Sequence, residues 1–536
     1  MKTLTTLFSI ALALSISIAT AQTPPGKQWD ARFGGTNNES LNSLQQTADG
    51  GYILGGWSQS GISGDKTQAS QGGYDYWIVK TDADGIKQWD ARFGSSDYDF
   101  LHSLQQTADG GYILGGYSQS GISGDKTQAS QGLYDYWIVK TDANGVKQWD
   151  ARFGGSSDDY LNSIQQTADG GYILGGWSQS GISGDKTQAS QGSYDYWIVK
   201  TDANGVKQWD TRFGGSSDDR LWSLQQTTDG GYILGGYSQS GISGDKTQAS
   251  QGASDYWIVK TDANGVKQWD ARFGGSSAEG LWSLQQTTDG GYILGGESIS
   301  EISGDKTQAS QGDYDYWIVK TDANGVKQWD AQFGGSNQDE LNSLQQTADG
   351  GYILGGWSGS EISGDKTQAS QGSSDYWIVK TDANGVKQWD ARFGGNNADG
   401  LWSLQQTTDG GYILGGTSSS GISGDKTQSS QGFDDYWIVK TDAVATTTET
   451  LVDPVDFFSE IYPNPVQNQL TINMPVPASA VTIRIYDIMG EMISLPTTIQ
   501  NPQAQINTMA LPEGLYTLQI TNNKTRASKV RKFVKQ

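Results

Sequence analysis

The chain has 536 residues and a net charge of −23, with one histidine, His102, and no cysteine. The excess of acidic residues repels phosphate backbones and argues against nucleic-acid binding. Without cysteine there are no disulfides or thiolate sites, and one histidine excludes a His-cluster zinc site or a repeated His-based catalytic site. High glycine and tryptophan contents, 73 and 20 residues, indicate a turn-rich all-β protein.

Residues 1–21 have the pattern of a secretory signal peptide. Lys2 supplies the positive charge, a mostly apolar stretch runs from Leu4 to Ile18, and Ala19-Thr20-Ala21 is a small-residue cleavage site. The apolar stretch is short and interrupted by hydroxyl residues, which favours cleavage over a membrane anchor. We therefore predict a secreted protein whose mature chain begins at Gln22 and has no transmembrane segment.

The motif Lys-Gln-Trp-Asp recurs seven times at a fixed spacing of 60 residues, from Lys27 to Lys387. Such a fixed period indicates a solenoid, a propeller or an array. Each repeat contains four strand-like segments bounded by Asp and Gly turn residues, which in the first repeat are 27–33, 41–47, 51–56 and 75–80. Four antiparallel strands in each of seven repeats predict a seven-bladed β-propeller over residues 22–443.

The phase of the repeat predicts how the ring closes. We name the strands of a blade A (41–47 in the first repeat), B (51–56), C (75–80) and D, the Lys-Gln-Trp segment that follows C. The chain begins with a D segment, Lys27–Phe33, and the last repeat stops after strand C. We predict that this N-terminal strand completes the seventh blade, because the pairing removes a free sheet edge. An open solenoid would instead need capping repeats.

Three segments of the repeat resemble a known family. Tyr52-Ile-Leu-Gly-Gly56, then Tyr76-Trp77, then Lys87-Gln-Trp89 is similar to kelch-type repeats and the bacterial propeller repeats related to them. The resemblance covers residues 27–443 and implies a propeller fold, but no single function. The repeat is longer than a usual kelch unit, and the added length lies between strands B and C.

A second domain follows a polar linker at 444–456. Residues 457–536 contain short alternating segments typical of a small β-sandwich. Four motifs occur there in order: Tyr462-Pro-Asn-Pro-Val466, Asp487-Ile-Met-Gly490, Leu511-Pro-Glu-Gly-Leu-Tyr516 and Lys529-Val-Arg-Lys-Phe-Val-Lys535.

These motifs resemble the type A C-terminal sorting domain of the type IX secretion system. The resemblance implies a Bacteroidota-type host, the secretion machinery as a partner, and a location at the cell surface or outside the cell. The residues that carry the sorting motif are Pro463, Asn464, Pro465, Gly490, Gly514, Tyr516, Lys532 and Lys535.

The seven repeats differ from one another mainly in the D–A loop, at the start of strand A, at the end of strand B and just before strand C. Antiparallel strand order places all four regions on one face, here called the D–A/B–C face. Aromatic, amide and carboxylate groups together are typical of sugar binding, because rings stack on sugar faces and polar groups bind hydroxyls. The predicted ligand-binding residues are His102, Trp222, Trp282 and Trp402 in strand A, and Trp57, Tyr117, Trp177, Tyr237 and Trp357 after strand B.

We predict a monomeric, non-catalytic binding protein whose ligand is a glycan or a surface protein. Neutral sequence change explains the same variation, because surface loops contribute little to packing. Two further alternatives are a glycoside-active enzyme that uses loop carboxylates, such as Asp339 and Glu340, and a structural or adhesion protein without a small ligand.

No cofactor or metal site is predicted. Asp142-Ala-Asn-Gly145 and its copies share oxygen ligands with a calcium loop, but Asp, Asn and Gly also favour a hairpin turn between strands C and D. A calcium loop needs more oxygen ligands than this segment offers, so the turn is the favoured interpretation.

Overall fold

The computed structural model describes residues 23–443, 460–473, 481–488, 490–500, 503–522 and 528–536. The chain divides into two compact units, Met1–Ala445 and Thr446–Gln536. The predicted signal peptide and linker lie outside the described residues. All regular elements in the described ranges are β-strands, and within them no helix is long and apolar enough to cross a membrane.

The first unit consists of seven four-stranded antiparallel sheets, each ordered A-B-C-D. Blade 1 contains β2 (Glu39–Gln46), β3 (Tyr52–Ser58), β4 (Asp75–Thr81) and β5 (Lys87–Phe93). Blades 2 to 4 contain β6 (Asp99–Gln106), β7 (Tyr112–Ser118), β8 (Asp135–Thr141), β9 (Lys147–Phe153), β10 (Asp159–Gln166), β11 (Tyr172–Ser178), β12 (Asp195–Thr201), β13 (Lys207–Phe213), β14 (Asp219–Gln226), β15 (Tyr232–Ser238), β16 (Asp255–Thr261) and β17 (Lys267–Phe273). Blades 5 to 7 contain β18 (Glu279–Gln286), β19 (Tyr292–Ser298), β20 (Asp315–Thr321), β21 (Lys327–Phe333), β22 (Asp339–Gln346), β23 (Tyr352–Ser358), β24 (Asp375–Thr381), β25 (Lys387–Phe393), β26 (Asp399–Gln406), β27 (Tyr412–Ser418), β28 (Asp435–Thr441) and β1 (Lys27–Phe33).

The ring closes through its N-terminal strand. β1 pairs with β28 and supplies strand D of blade 7, and β2 of blade 1 packs against β26 and β27 of blade 7. Trp437 Nε1 in β28 donates a hydrogen bond to Asp30 Oδ2 in β1 at 3.1 Å, as Trp77 Nε1 does to Asp90 Oδ2 within blade 1 at 3.0 Å. The predicted seven-bladed propeller, with its N-terminal strand in the last blade, is confirmed.

A repeated aromatic contact joins neighbouring blades. The hydroxyl of Tyr76 in blade 1 donates to the carbonyl of Trp137 in blade 2 at 2.9 Å, and the two rings lie 4.8 Å apart. The contact between Tyr436 and Trp77 repeats this arrangement across the closure, with the same bond length of 2.9 Å. Each of these rings is completely buried, so every junction between blades carries apolar burial and a satisfied hydrogen bond.

The double glycine of strand B is required by two close approaches, one from the next blade and one from strand A of the same blade. A Cβ atom at Gly55 would lie 2.2 Å from Leu104 Cδ2 of blade 2, and one at Gly56 would lie 1.8 Å from the carbonyl oxygen of Ser40. The outer tryptophan series, by contrast, is only partly enclosed: Trp29 is half-buried, whereas Trp389 in blade 6 is buried. The tryptophans of strand C, such as Trp77, are therefore more completely buried than those of strand D.

Two sets of carboxyl groups make the stability of the propeller depend on pH in opposite directions. Burial, with repulsion from Asp99, raises the pKa of Asp75 to about 6. The pKa of the equivalent carboxyl in each other blade is raised to about 6 or about 7. Burial alone would also raise the pKa of Asp49, but hydrogen bonds from Thr47 and Lys80 lower it to about 2. This lowering, too, recurs in every blade.

We expect the propeller to be most stable near pH 4, between these two sets of pKa values. The Asp75 set binds protons more tightly in the folded state, so stability falls as the pH rises from about 4 through about 6. The Asp49 set binds protons less tightly when folded, so stability is lost as the pH falls from about 4 through about 2. Thermal melts from pH 2 to 8 at constant ionic strength measure this, and a stability maximum at pH 8 would contradict it.

The second unit is a sandwich of two four-stranded sheets. One sheet has the order β29-β30-β34-β33 and the other β32-β31-β35-β36. These strands are β29 (Glu460–Tyr462), β30 (Gln469–Asn473), β31 (Val481–Tyr486), β32 (Met492–Ile493), β33 (Thr497–Gln500), β34 (Gln503–Asn507), β35 (Gly514–Asn522) and β36 (Ser528–Lys535). Buried residues from both sheets, including Leu470, Ile506, Leu518 and Phe533, form one core. The predicted C-terminal β-sandwich is confirmed.

Candidate functional site

The residues at the start of strand A reach the central channel because every A strand contains a β-bulge. In blade 1 the register of β2 against β3 shifts between Leu41 and Ser43, which leaves Asn42 unpaired. The same shift recurs in the other six blades. A bulge redirects a side chain out of the regular alternation of a strand. It therefore positions Asn, His or Trp at the same point of each blade.

These bulge residues and the ends of the B strands line a cavity of about 490 Å³ at the D–A/B–C end of the channel. Six of the predicted ligand-binding residues lie in its wall: Trp57, His102, Tyr117, Trp222, Trp282 and Trp402. Five further wall residues were not among those predicted: Asn42, Phe100, Asn162, Glu340 and Asn342. All five occupy positions that vary between repeats, and that variation is the signal by which the sequence marks them.

Three predicted residues lie outside this cavity. Trp177 is buried against Tyr160, with ring centroids 3.9 Å apart, and the Arg220 guanidinium lies 4.9 Å from its ring. Tyr237 contacts Trp282 edge-on at 6.1 Å, and Trp357 lines a smaller adjoining cavity of about 240 Å³. Trp177 and Tyr237 thus support the neighbouring residues without lining the main cavity.

The aromatic groups of the cavity are held in fixed mutual geometries. Trp222 and Trp282 pack edge to face at 4.8 Å, whereas His102 stacks on Tyr117 at 5.1 Å with 25° between the ring planes. The indole Nε1 atoms of Trp222 and Trp282 are buried and have no hydrogen-bond partner among the described residues. Buried donors without a partner cost free energy, and an acceptor that reached these two N–H groups would remove that cost.

The asparagines of the wall are oriented by the next blade. The side-chain amide of Asn162 donates to the carbonyl of Leu221 at 2.8 Å, and that of Asn342 donates to the carbonyl of Leu401 at 3.0 Å. Because the nitrogen of each amide is fixed in this way, its oxygen is left to accept a hydrogen bond from a ligand.

The ionisable groups of the cavity are shifted towards their neutral forms. Burial lowers the pKa of His102 to about 4, so the imidazole is uncharged at neutral pH. Burial and then repulsion from Glu340 raise the pKa of Glu297 to about 8, and burial raises that of Glu340 to about 7. No Lys or Arg is among the described residues that line the cavity.

The opposite end of the channel is symmetric and structural. A cavity of about 320 Å³ there is lined by a Leu-Gln pair from six blades, Leu44 and Gln45 in blade 1, and by Ile164 and Gln165 from blade 3. The Gln45 amide oxygen accepts the backbone N–H of Gln106 from the next blade at 2.7 Å, and this bond recurs around the ring. The two ends of the channel therefore differ. The blades contribute nearly the same residues to this end, whereas they contribute different residues to the D–A/B–C end.

The segment with partial similarity to a calcium loop forms a C–D turn. Asp142 Oδ1 accepts hydrogen bonds from the backbone N–H groups of Asn144 and Val146, both at 2.9 Å. Within the ranges that the structure describes, no group of three or more His, Asp or Glu side chains is arranged to hold a metal ion.

The predicted sorting residues surround the last strand of the second unit. Asn464, between Pro463 and Pro465, donates through Nδ2 to the Lys532 carbonyl at 3.2 Å and accepts from the backbone N–H of Val534 at 2.8 Å. Backbone hydrogen bonds join Val466 to Val534 and Gln536 on the same strand, at 2.7 and 2.9 Å. The first sorting motif thereby clamps β36 to the sandwich.

The other sorting residues shape the strands that β36 joins. Tyr516 stacks on Phe533 at 5.5 Å, and its hydroxyl donates to the Pro512 carbonyl at 2.9 Å. Gly490 has a φ of 85° in the turn after β31, a conformation that favours glycine. Gly514 lies opposite Lys535 in the pairing of β35 with β36. The four motifs therefore form one structural unit.

Comparison with known proteins identifies this second unit. Residues 460–536 match the family described as "Secretion system C-terminal sorting domain". The C-terminal unit is thus a sorting domain, and it directs the chain through the type IX secretion system to the cell surface or the medium. The secretion machinery is accordingly a partner of this chain.

Similarities to other proteins are more distant. The regulatory protein FlaEY of Caulobacter vibrioides is 23% identical over 232 residues, which are 41% of this chain and 24% of that protein. The chain thus spans about a quarter of this relative's length. PorZ, a surface component of the type IX secretion system of Porphyromonas gingivalis, is 10% identical, with a TM-score of 0.38 over 94% of this chain and 60% of that one. The WD40 domain of SCAP from fission yeast is 5% identical, with a TM-score of 0.27 over 94% and 90% of the two chains. TM-scores this low carry no information on function.

Proposed function

We propose that this propeller, exported by its C-terminal sorting domain, is a non-catalytic binding protein that takes a saccharide into the cavity at the D–A/B–C end of its channel. One observation carries the proposal: six of the nine predicted ligand-binding residues, from blades 1, 2, 4, 5 and 7, converge on one cavity of about 490 Å³. Pockets of about 300 to 1,000 Å³ with apolar walls and a few polar groups are typical of small-ligand sites.

The chemistry of the wall suits a sugar. The indole rings of Trp222, Trp282 and Trp402 offer apolar faces on which a sugar ring stacks. The two unpartnered indole N–H groups are donors for hydroxyl oxygens, and the oxygens of Asn162 and Asn342 are acceptors for hydroxyl hydrogens. A bound sugar would satisfy buried donors that otherwise cost free energy.

A glycoside-active enzyme is the second candidate, and the pair Glu297 and Glu340 is the observation that favours it. Glycosidases use two carboxyl groups on either side of the scissile bond, and raised pKa values suit a general acid. Release of reducing ends from a bound oligosaccharide, lost in Glu297→Gln or Glu340→Gln, would establish turnover. Binding with no product would support the non-catalytic function.

We expect Trp222→Ala and Trp282→Ala each to weaken binding of a glycan found on an oligosaccharide array by about tenfold or more, because each removes a stacking face and an N–H donor. Titration calorimetry of the full mature chain measures the affinity. Trp269→Ala is the matched control, since Trp269 packs against Tyr292 on an outer strand, away from the cavity. Equal affinities for all three variants would contradict the proposed site.

A further inference from the structure

One sector of the D–A/B–C face, formed by blades 5 and 6, departs from the repeat pattern towards negative charge. Glu297 ends strand B of blade 5 where the other repeats have Trp, Tyr or Thr. Glu301 and Glu361 stand in B–C loops where the other five repeats have Gly, and Gln332 stands where the other six have Arg. These changes add negative charge to blades 5 and 6 and remove one positive charge from blade 5.

The missing arginine has a structural consequence. Six junctions carry an Arg–Asp ion pair between neighbouring blades, such as Arg272 with Asp305 at 2.8 Å. At the junction of blades 5 and 6, Gln311 donates to Asp365 at 2.9 Å, and Gln332 contacts Asp315. Asp315 and Asp365 at this junction are therefore not paired with a guanidinium.

One of the acidic groups lines the cavity, and a second lies next to one of its tryptophans. Glu340 lines its wall together with the tryptophans. Glu297 lies beside Trp282, because a Cβ atom built at Gly280 would be 2.9 Å from the Trp282 ring and 3.5 Å from Glu297 Oε1. The second oxygen, Glu297 Oε2, is buried without a hydrogen-bond partner among the described residues. The Glu340 carboxyl group and the tryptophan rings thus share the cavity wall, and the Glu297 carboxyl group lies beside the Trp282 ring.

The groups that face Glu297 do not supply a counter-charge. Glu340 in β22 acts on Glu297 directly, and Tyr314 before β20 interacts with Glu297, Glu279 in β18, Asp313 and Glu340. Glu279 is already engaged by Ser298 and by the backbone N–H of Gly275, and its carboxylate adds to the negative potential. Lys306 in the blade 5 loop interacts with Asp315, Glu279 and Glu301. No cation among the described residues is a partner of Glu297 or Glu340, and a buried carboxylate is costly unless it is paired.

We infer that the ligand group bound at this sector is a positively charged organic nitrogen, carried by an amino sugar or by a quaternary ammonium compound. Indole faces attract such cations through their π-electrons, and the attraction is strongest when the cation is desolvated. Paired carboxylates supply the opposite charge. The inference rests on the proposed saccharide site and specifies one substituent of its ligand.

Permanently charged ligands provide a pH test of this inference. Choline carries the same charge at every pH, so the protonation of the two carboxyl groups controls its binding. Burial raises the pKa of Glu297 to about 8 and that of Glu340 to about 7. The affinity for choline is therefore expected to increase as the pH rises from 6 to 9, because only the ionised carboxylates attract it.

The experiment compares three probes on the full mature chain by titration calorimetry: a glucosamine pentasaccharide, its fully N-acetylated counterpart, and choline. We expect the free-amine oligosaccharide to bind about tenfold more tightly than the acetylated one, and choline to compete with it. Glu297→Gln and Glu340→Gln should each lose this preference for the free amine over the acetylated ligand. Glu301→Gln and Glu361→Gln, in exposed loops of the same sector, are the matched controls and should retain the preference.

The outcomes separate this inference from the proposed function. Equal or tighter binding of the acetylated oligosaccharide, with no binding of choline, would overturn the inference and leave the saccharide site standing. Binding of choline alone would support the cation site and refute the saccharide. Thermal melts of each variant show that lost binding is not lost folding, and failure of all three probes to bind would overturn both proposals.

Discussion

Deletion of Lys27–Phe33 is expected to lower the melting temperature of the propeller by about 10 °C or more. Without β1, strand C of blade 7 loses its outer partner along the whole register from Lys27 to Phe33. Phe33, which is 4% exposed, leaves the core shared by blades 7 and 1. Burial of one aromatic side chain contributes about 4 to 6 kcal/mol before chain entropy is subtracted, so the loss is large.

The deletion also removes polar contacts that close the ring. Trp437 Nε1 loses its acceptor Asp30, and Asp65 in blade 1 loses its ion pair with Arg32, which measures 2.8 Å. A buried donor left unpaired costs about 1 to 3 kcal/mol in addition to the lost packing. The exposed edge of β28 then becomes a site for pairing with other chains, so we also expect aggregation.

A circular permutant is the control for this prediction. Moving residues 27–33 from the N-terminus to a position after Ala443, with an added Asn-Gly-Val, restores the missing strand D through the same five-residue C–D connection as in the other blades, such as 142–146. The permutant should regain the melting temperature of the parent chain, measured by calorimetry. An unchanged melt of the simple deletion, or no recovery in the permutant, would show that β1 does not close the ring.

Deletion of residues 457–536 is expected to abolish appearance of the protein at the cell surface and in the medium. The deleted segment contains the sorting domain at 460–536, in which Asn464 clamps the last strand through two hydrogen bonds. The truncated protein should accumulate in the periplasm, and cell fractionation with immunoblotting measures its distribution. Its propeller should still fold, because all seven blades are complete without this segment.

The reciprocal experiment tests whether the sorting domain is sufficient. Residues 444–536, fused after an unrelated periplasmic protein with its own signal peptide, should carry that protein to the surface or the medium. An unchanged melting temperature of the truncated propeller serves as the folding control. Secretion of the truncated chain at the normal level would contradict the assignment of export to this domain.

The sequence by itself determined the architecture. A period of 60 residues, four strand-like segments per repeat and a D segment that precedes the first complete blade together predict seven blades and the closure by Lys27–Phe33. These features are readable because strand alternation and turn chemistry are local, and because each repeat meets the same neighbours. The sorting motif was readable for a similar reason, since its residues make the turns and clamps of one small sandwich.

Only the tertiary structure decided which variable residues share a site. The bulge at Asn42 and its copies directs these side chains into the channel. No residue type in the repeat predicts that a bulge forms at this position. Trp177, equivalent in sequence to Trp57, packs under Arg220 instead of lining the cavity. Glu297 and Glu340 meet because strand B of one blade borders strand A of the next. The direction of a side chain depends on local register and on the distance between blades, and folding sets both.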